Sequence, residues 1–130
     1  MKKYAGVLLK NRNKVLLCKR SPRESRANTW SIPCGHMEEG EKPKDTAIRE
    51  FKEETNIDLD TSVKLLDFIK TDDKKGIIFV FYKEVEKEIE PDLEKAKDGH
   101  EHTKCGYFNL LELPIKNKKD DLYKIISKIL

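Results

Sequence analysis

The chain has 130 residues, of which 39% are charged and 37% hydrophobic, and its formal net charge is +3. This length suits one domain with a hydrophobic core, so we predict a single domain over residues 1–130. The weak positive charge permits anionic ligands but does not favour binding of bulk nucleic acid. No apolar run is long enough to cross a membrane. The short apolar stretch after Lys3 ends at Lys10 without a secretory cleavage site, so we expect a cytoplasmic protein without a membrane partner.

The cysteines are few and widely spaced. They are Cys18, Cys34 and Cys105, and no Cys-x-x-Cys motif occurs. An odd number without that motif predicts free thiols rather than a disulfide framework. The spacings between cysteines and histidines match no standard zinc module, so we expect no zinc site.

The predicted elements follow the order βββ-α-ββ-β-α along the chain. Apolar and alternating runs bounded by turn residues predict strands at 3–10, 14–20, 30–32, 63–70, 76–84 and 105–110. The turn signals of the two hairpins are at 11–13 and 72–75. Apolar residues at helical spacing predict helices at 43–55 and 119–130. This order of elements indicates an α+β fold in which a mixed β-sheet is flanked by helices.

The helix predicted over 43–55 carries three glutamates close together. Glu50, Glu53 and Glu54 are related by steps of three and four residues, which place them on one side of a helix. Glu50 and Glu54 repel each other there, at a cost of roughly a few tenths of a kcal/mol. Such a cluster is typical of a site for a hard divalent cation, which takes oxygen ligands. The alternative is a solvated face, in which Arg49 pairs with Glu53 four residues later.

The stretch from Gly35 to Ile57 closely resembles the signature of the Nudix hydrolases. That signature is a glycine, five residues, a glutamate, seven residues, and then Arg-Glu-apolar-x-Glu-Glu-x-Gly-apolar. The matching residues are Gly35, Glu41, Arg49, Glu50, Phe51, Glu53, Glu54 and Ile57. Asn56 replaces the family's last glycine, and asparagine is the next-best residue for the left-handed backbone that ends many helices. The flanking segments VLLCKR, WSIPCGHMEEGE and HTKCGYFNLLELP also resemble the family, so the resemblance implies an α/β/α sandwich over nearly the whole chain.

The resemblance implies hydrolysis of a nucleoside diphosphate linked to another moiety, with Mg²⁺ or Mn²⁺ as cofactor. Its implied metal ligands are the carboxylates of Glu50, Glu53 and Glu54. A backbone carbonyl in the preceding turn completes the set, and Cys34 stands at that position in place of the usual glycine.

We predict catalytic roles for Arg49, Glu50, Glu53 and Glu101. Arg49 is expected to hold a glutamate by paired hydrogen bonds, and Glu41 before the helix is a candidate partner. The general base is left open between Glu53 and Glu101, because related enzymes often carry an extra carboxylate before the last aromatic strand. An ordinary loop charge is the alternative for Glu101.

Three arginines are candidates for binding the substrate's phosphates, because a guanidinium matches phosphate oxygens in fork geometry. They are Arg20, Arg23 and Arg26, and Arg20 ends a strand as in the family. His100 and His102 flank Glu101 and could contact phosphate, although we favour ordinary surface positions for both.

The substrate predicted for this chain is a nucleoside triphosphate, with oxidised deoxynucleotides included, cleaved to a monophosphate and pyrophosphate. Residues 72–75 contain neither the proline nor the tyrosine that marks the ADP-ribose and dinucleoside polyphosphate subclasses. One alternative is a pyrophosphohydrolase acting on RNA 5′ ends, which would need a broad basic surface. The other is a non-catalytic nucleotide-binding module, against which the complete glutamate set argues.

Overall fold

The protein is built on one mixed sheet of seven strands, seen in a computed structural model that describes residues 1–129. The strands are β1 (Lys2–Asn11), β2 (Lys14–Arg20), β3 (Trp30–Ser31), β4 (Cys34–His36), β5 (Lys64–Lys70), β6 (Gly76–Glu84) and β7 (His102–Asn109). The helices are α1 (Pro43–Thr55) and α2 (Asp121–Ser127), and a 3₁₀ turn at Gly99–Glu101 leads into β7. This architecture confirms the predicted α+β fold, with a mixed sheet flanked by helices.

Strand β1 lies in the middle of the sheet, whose main order is β3-β2-β1-β6-β5. It runs parallel to β6 and antiparallel to β2 and β4. Strand β7 pairs antiparallel with β2, so that Arg20 at the end of β2 lies opposite His102 at the start of β7. This pairing brings a loop from late in the chain to the edge of the sheet where β4 and α1 also lie.

The two faces of the sheet carry separate hydrophobic cores, because successive side chains of a strand point to opposite faces. Along β1, Val7 and Leu9 face α1 whereas Leu8 faces α2. The buried core on the α1 side comprises Ala5, Val7, Leu9, Leu16, Ala47, Phe51, Ile57, Val63 and Phe81. The buried core on the α2 side comprises Leu8, Val15, Leu17, Ile32, Val80, Leu110, Leu122, Ile125 and Ile126. The helices therefore cover both faces, as an α/β/α sandwich requires.

Helix α1 has the boundaries that the sequence predicts. Pro43 occupies its first turn, where a missing N–H costs nothing. Asn56 ends it in the left-handed region, with φ of 64°, and donates its N–H to the carbonyl of Lys52 at 2.9 Å. Asparagine thus performs the function of the glycine that it replaces.

Three details of the predicted elements were wrong. Strand β4 falls in a segment for which no strand was predicted, since its three residues are too few to show a periodicity. Strand β7 begins at His102 instead of residue 105. Helix α2 covers only residues 121–127 of the predicted 119–130, and Leu130 lies outside the described residues. No helix within residues 1–129 is both long and apolar enough to span a membrane.

The prediction of three free thiols was also wrong. Cys18 and Cys105 lie directly opposite each other in the β2–β7 pair and form a disulfide, whereas Cys34 is free. The bonded residues are 87 positions apart in the sequence. Only the pairing of the two strands brings them together, and neither the number nor the spacing of cysteines reveals that pairing.

Candidate active site

Arg49 is the centre of a carboxylate network on α1. Its Nε and NH2 groups donate to the two carboxylate oxygens of Glu41, at 2.8 and 2.9 Å. Its NH1 group donates to Glu50 at 2.8 Å and to Glu53 at 3.0 Å, and NH2 also donates to the carbonyl of His36 at 3.0 Å. The structure therefore contains the expected bidentate pair with Glu41 and the expected pair with Glu53.

Glu41 also holds the loop before α1 in place. Its Oε1 accepts hydrogen bonds from the backbone N–H of Glu38 and the hydroxyl of Thr46, both at 2.8 Å. The hydrogen bond from the Arg49 guanidinium, together with those from these two donors, lowers the pKa of Glu41 to about 2. Glu41 therefore stays ionised at neutral pH and fixes Arg49, which in turn orients Glu50.

Glu54 lies in the interior of the protein. The residue is 0% exposed, and within residues 1–129 neither of its carboxylate oxygens has a hydrogen-bond partner. Burial, followed by the charges of Glu101 and Glu50, raises the pKa of Glu54 to about 10. Helical spacing predicted its place beside the other glutamates but not its burial.

Strand β4 passes close to α1 at Gly35. A Cβ atom on Gly35 would overlap the carboxylate of Glu50. Next to it, burial raises the pKa of the Cys34 thiol to about 12, and the charge of Glu54 is the next cause. Cys34 therefore lies within electrostatic reach of Glu54, and its thiol remains protonated at neutral pH.

Glu101 is brought to the same carboxylates by the loop that leads into β7. The N–H of Ser21 donates to the Glu101 carbonyl at 2.9 Å, and the Ser21 hydroxyl donates to the carbonyl of His100 at 2.6 Å. From the other side, the N–H of Asp98 donates to the carbonyl of Glu53 at 2.7 Å. Burial, followed by the charges of nearby acids that include Glu50, raises the pKa of Glu101. Its catalytic role stays a prediction.

His102 does not lie at the surface, contrary to our expectation. Its side chain is 0% exposed, and its Nε2 lies 3.8 Å from Oε1 of Glu54. Burial, followed by the charge of Arg20, lowers the pKa of His102 to about 4. Sequence reasoning missed this residue because β7 begins three positions earlier than the apolar run that was used to predict it. His100, in contrast, is exposed as expected.

The three predicted phosphate-binding arginines have different surroundings. Arg20 donates to the carbonyl and hydroxyl of Ser25, at 2.6 and 3.2 Å, and its charge acts on Glu54. Arg26 donates to Asp120 at 2.8 Å, which ties its loop to the start of α2. Arg23 lines a cleft of about 510 Å³, whose other lining residues are Ser21, Pro22, Glu24 and His100. The structure therefore places Arg20 and Arg23 near the carboxylates or the Glu101 loop and gives Arg26 an acidic partner. Their roles toward substrate stay predictions.

A second cleft, of about 470 Å³, lies between β5 and α2. None of the candidate catalytic, metal-binding or phosphate-binding residues lines it. Of these candidates, Arg23 lines the other cleft, next to the Glu101 loop.

The carboxylates fit a divalent cation, although they do not converge around one point. Among residues 1–129, no three His, Cys, Asp or Glu side chains form a group that could hold a metal. Glu50 and Glu53 are paired with Arg49, at 2.8 and 3.0 Å. Three observations nevertheless suit Mg²⁺ or Mn²⁺: an all-oxygen donor set, the close approach of the Gly35 backbone to the Glu50 carboxylate, and the unpartnered oxygens of Glu54.

Known proteins resemble this chain in sequence and in fold. The sequence model of the NUDIX domain matches residues 2–129. An 8-oxo-dGTP diphosphatase from Proteus vulgaris is 34% identical over 68 residues, which cover 52% of this chain and 60% of that protein. The match therefore spans less than two thirds of that relative's length.

Solved structures share the fold. A MutT NUDIX hydrolase from Burkholderia pseudomallei superposes with a TM-score of 0.82 at 22% identity, covering 99% of this chain and 98% of that one. A bifunctional NMN adenylyltransferase/ADP ribose pyrophosphatase from Francisella tularensis, complexed with AMP and a Mn ion, gives a TM-score of 0.71 at 19% identity. That match covers 98% of this chain and 40% of that one.

Proposed function

The chain belongs to the Nudix hydrolase family, and on that premise we propose that it is a Mg²⁺- or Mn²⁺-dependent pyrophosphohydrolase. Its proposed reaction is hydrolysis of a phosphoanhydride bond in a derivative of a nucleoside diphosphate. The observation that carries this proposal is the buried, unpartnered carboxylate of Glu54 beside Glu50 and Glu101. An acid in such a place destabilises the fold unless a cation compensates it. We propose further that the reaction takes place in the cytoplasm.

Glu50, Glu53, Glu54 and the carbonyl of Cys34 are the proposed ligands of the cation. When bound, the cation supplies charge neutralisation for the phosphate oxygens and lowers the pKa of water. Arg49 holds Glu50 and Glu53 through hydrogen bonds of 2.8 and 3.0 Å, which restrict the rotamers of both side chains. Its proposed role in catalysis is to orient these carboxylates.

Glu101 is the better candidate for the general base. Its pKa is raised by burial and by neighbouring acids, which makes its carboxylate a stronger proton acceptor near neutral pH. The carboxylate of Glu53 instead accepts hydrogen bonds from Arg49 at 3.0 Å and Lys97 at 3.5 Å, so both of its oxygens already have donors. We therefore assign proton acceptance to Glu101 and a metal-binding role to Glu53.

A nucleoside triphosphate is the proposed substrate, and an oxidised deoxynucleotide is the form we favour. The relative from Proteus vulgaris, an 8-oxo-dGTP diphosphatase, supports this choice. The cleft beside the Glu101 loop also supports it, because Arg23 and His100 line it and offer donors for phosphate oxygens. The proposed products are a nucleoside monophosphate and pyrophosphate.

A substrate panel tests this function. The purified protein is incubated with Mg²⁺ and dNTPs, 8-oxo-dGTP, ADP-ribose, dinucleoside polyphosphates or triphosphorylated RNA, and the products are separated by anion exchange. We expect turnover of the triphosphates with release of pyrophosphate, loss of turnover in chelator, and recovery with Mg²⁺ or Mn²⁺. Full turnover in excess chelator would refute the metal mechanism. Release of orthophosphate alone, or cleavage of RNA ends alone, would refute the proposed substrate.

A matched pair of variants makes the assay specific for the site. Glu50→Gln removes a proposed ligand, whereas Glu39→Gln removes an exposed glutamate from the loop before α1. We expect a loss of at least about 10²-fold in kcat for the first variant and wild-type kcat for the second.

A further inference from the structure

His102 and Glu54 form a buried pair that the proposed mechanism leaves without a function. Their side chains are 0% and 1% exposed, and 3.8 Å separates Nε2 of His102 from Oε1 of Glu54. Within residues 1–129, neither imidazole nitrogen and neither carboxylate oxygen has a hydrogen-bond partner. Buried polar groups are nearly always paired, so four unpartnered atoms at one place call for a physical reason.

The two residues come from different parts of the fold, and each is held by its backbone. Glu54 lies in the last turn of α1, beside Phe51 of the core. His102 begins β7, where its N–H donates to the carbonyl of Gly99 and the residue pairs with Arg20 of β2. A shift of the strand register at Arg20 accompanies this pairing. The ring of His102 is therefore placed against Glu54 by the sheet and not by the helix.

The distance between Nε2 of His102 and Oε1 of Glu54 can be closed by a side-chain movement. A distance of 3.8 Å is about 0.6 Å longer than the upper end of the usual N–H···O range, so a modest rotation of the Glu54 side chain brings the two atoms within hydrogen-bond distance. Oε1 is the carboxylate oxygen that lies nearer to the imidazole, which leaves Oε2 for another partner. One carboxylate can in this way join a nitrogen donor to a cation.

We propose that His102 is a positioning residue for Glu54. Its Nε2–H donates to Oε1 of Glu54 and fixes the carboxylate so that Oε2 is presented to the divalent cation. Groups that hydrogen-bond a ligating side chain orient it and raise its affinity for the metal. This inference rests on the proposed function, because it assigns His102 a role at the same metal site.

Binding of Mn²⁺ to the intact chain, without substrate, tests the inference. The free ion is measured by electron paramagnetic resonance during titration of wild type, His102→Leu and His102→Gln. Leucine removes the donor, whereas the amide nitrogen of glutamine can take the position of Nε2. We expect a loss of about 10- to 100-fold in Mn²⁺ affinity for His102→Leu and recovery to within about threefold for His102→Gln. Thr103→Ala, at the exposed next position of β7, is the control and should bind as wild type does.

The melting temperature in chelator accompanies each titration and reports whether the variants fold. His102→Leu should fold, because it replaces two unpartnered buried nitrogens with an apolar side chain, and His102→Phe is the second variant if it does not. Wild-type Mn²⁺ affinity in the leucine or phenylalanine variant would overturn the inference. An equal loss in the glutamine variant would do the same, because ring shape and not the donor would then matter. Absence of Mn²⁺ binding by the wild type would instead overturn the proposed function, and this inference with it.

Discussion

Replacing Glu54 with glutamine is expected to stabilise the metal-free protein. The carboxyl of Glu54 is 0% exposed, and burial, with the charges of Glu101 and Glu50, raises its pKa to about 10. Glutamine has nearly the same shape and does not ionise. The substitution Glu54→Gln therefore removes the titration and leaves the packing of α1 almost unchanged.

The magnitude follows from the difference in proton binding between the folded and unfolded states. Between the ordinary pKa of 4.5 and the folded value of about 10, the folded state keeps a proton that the unfolded state releases. The free energy of unfolding of the wild type therefore falls as pH rises through this window, by about 1.4 kcal/mol per pH unit. From pH 4.5 to pH 7 the upper limit of this loss is about 3 kcal/mol. We expect Glu54→Gln to be more stable than wild type by about 1–3 kcal/mol at pH 7, and the two proteins to converge near pH 4.5.

The lowered pKa of His102 makes the free energy of unfolding rise with pH on the acid side. Comparing wild type with Glu54→Gln cancels this contribution. The pKa of His102 falls from 6.5 to about 4 in the folded state, so stability is lost as pH falls through this window. Wild type and Glu54→Gln both carry His102. The difference between their unfolding free energies therefore reports Glu54.

Urea denaturation in chelator at pH 5 and pH 7 measures the effect, and thermal melting should show a shift of about 4 °C per kcal/mol for a chain of this size. Repeating the measurement with Mg²⁺ should stabilise the wild type but not Glu54→Gln, because binding to the folded state adds to its stability. Glu39→Gln serves as the exposed control. A variant less stable than wild type at pH 7, or a difference that is the same at both pH values, would refute the reasoning.

Three further predictions concern the other carboxylates and the close approach of β4. Glu53→Gln should lower kcat by at least about 10²-fold, and near-normal kcat in a steady-state assay would leave this residue only a structural role. Glu101→Gln should lower kcat with the melting temperature almost unchanged, since a carboxylate on this loop contributes little stability. The fall of wild-type kcat as pH drops through the raised pKa of Glu101 should be absent from the variant, whereas matching pH profiles would return the role of base to Glu53. Gly35→Ala should weaken Mg²⁺ binding in calorimetry by about tenfold or more, because its methyl group displaces the Glu50 carboxylate, and unchanged affinity would count against Glu50 as a ligand.

The sequence by itself determined the features that depend on local periodicity and chain order. The bounds of α1 follow from its apolar spacing, from Pro43 at its start and from Asn56 at its end, and all three agree with the structure. Glu53 lies beside Arg49 because residues four apart are neighbours on a helix surface. The mixed sheet with helices on both faces was likewise predictable from the order of the elements.

Only the tertiary structure decided what surrounds these residues. The pairing of β2 with β7 joins Cys18 to Cys105 and places His102 against Glu54. These are contacts between residues far apart in the chain. They depend on which strands pair in the sheet and in which register, and local periodicity does not reveal either. The burial of Glu54 also depends on strand pairing. Helical spacing sets the direction of its side chain, but only the tertiary structure places His102 of β7 against it and leaves it unexposed.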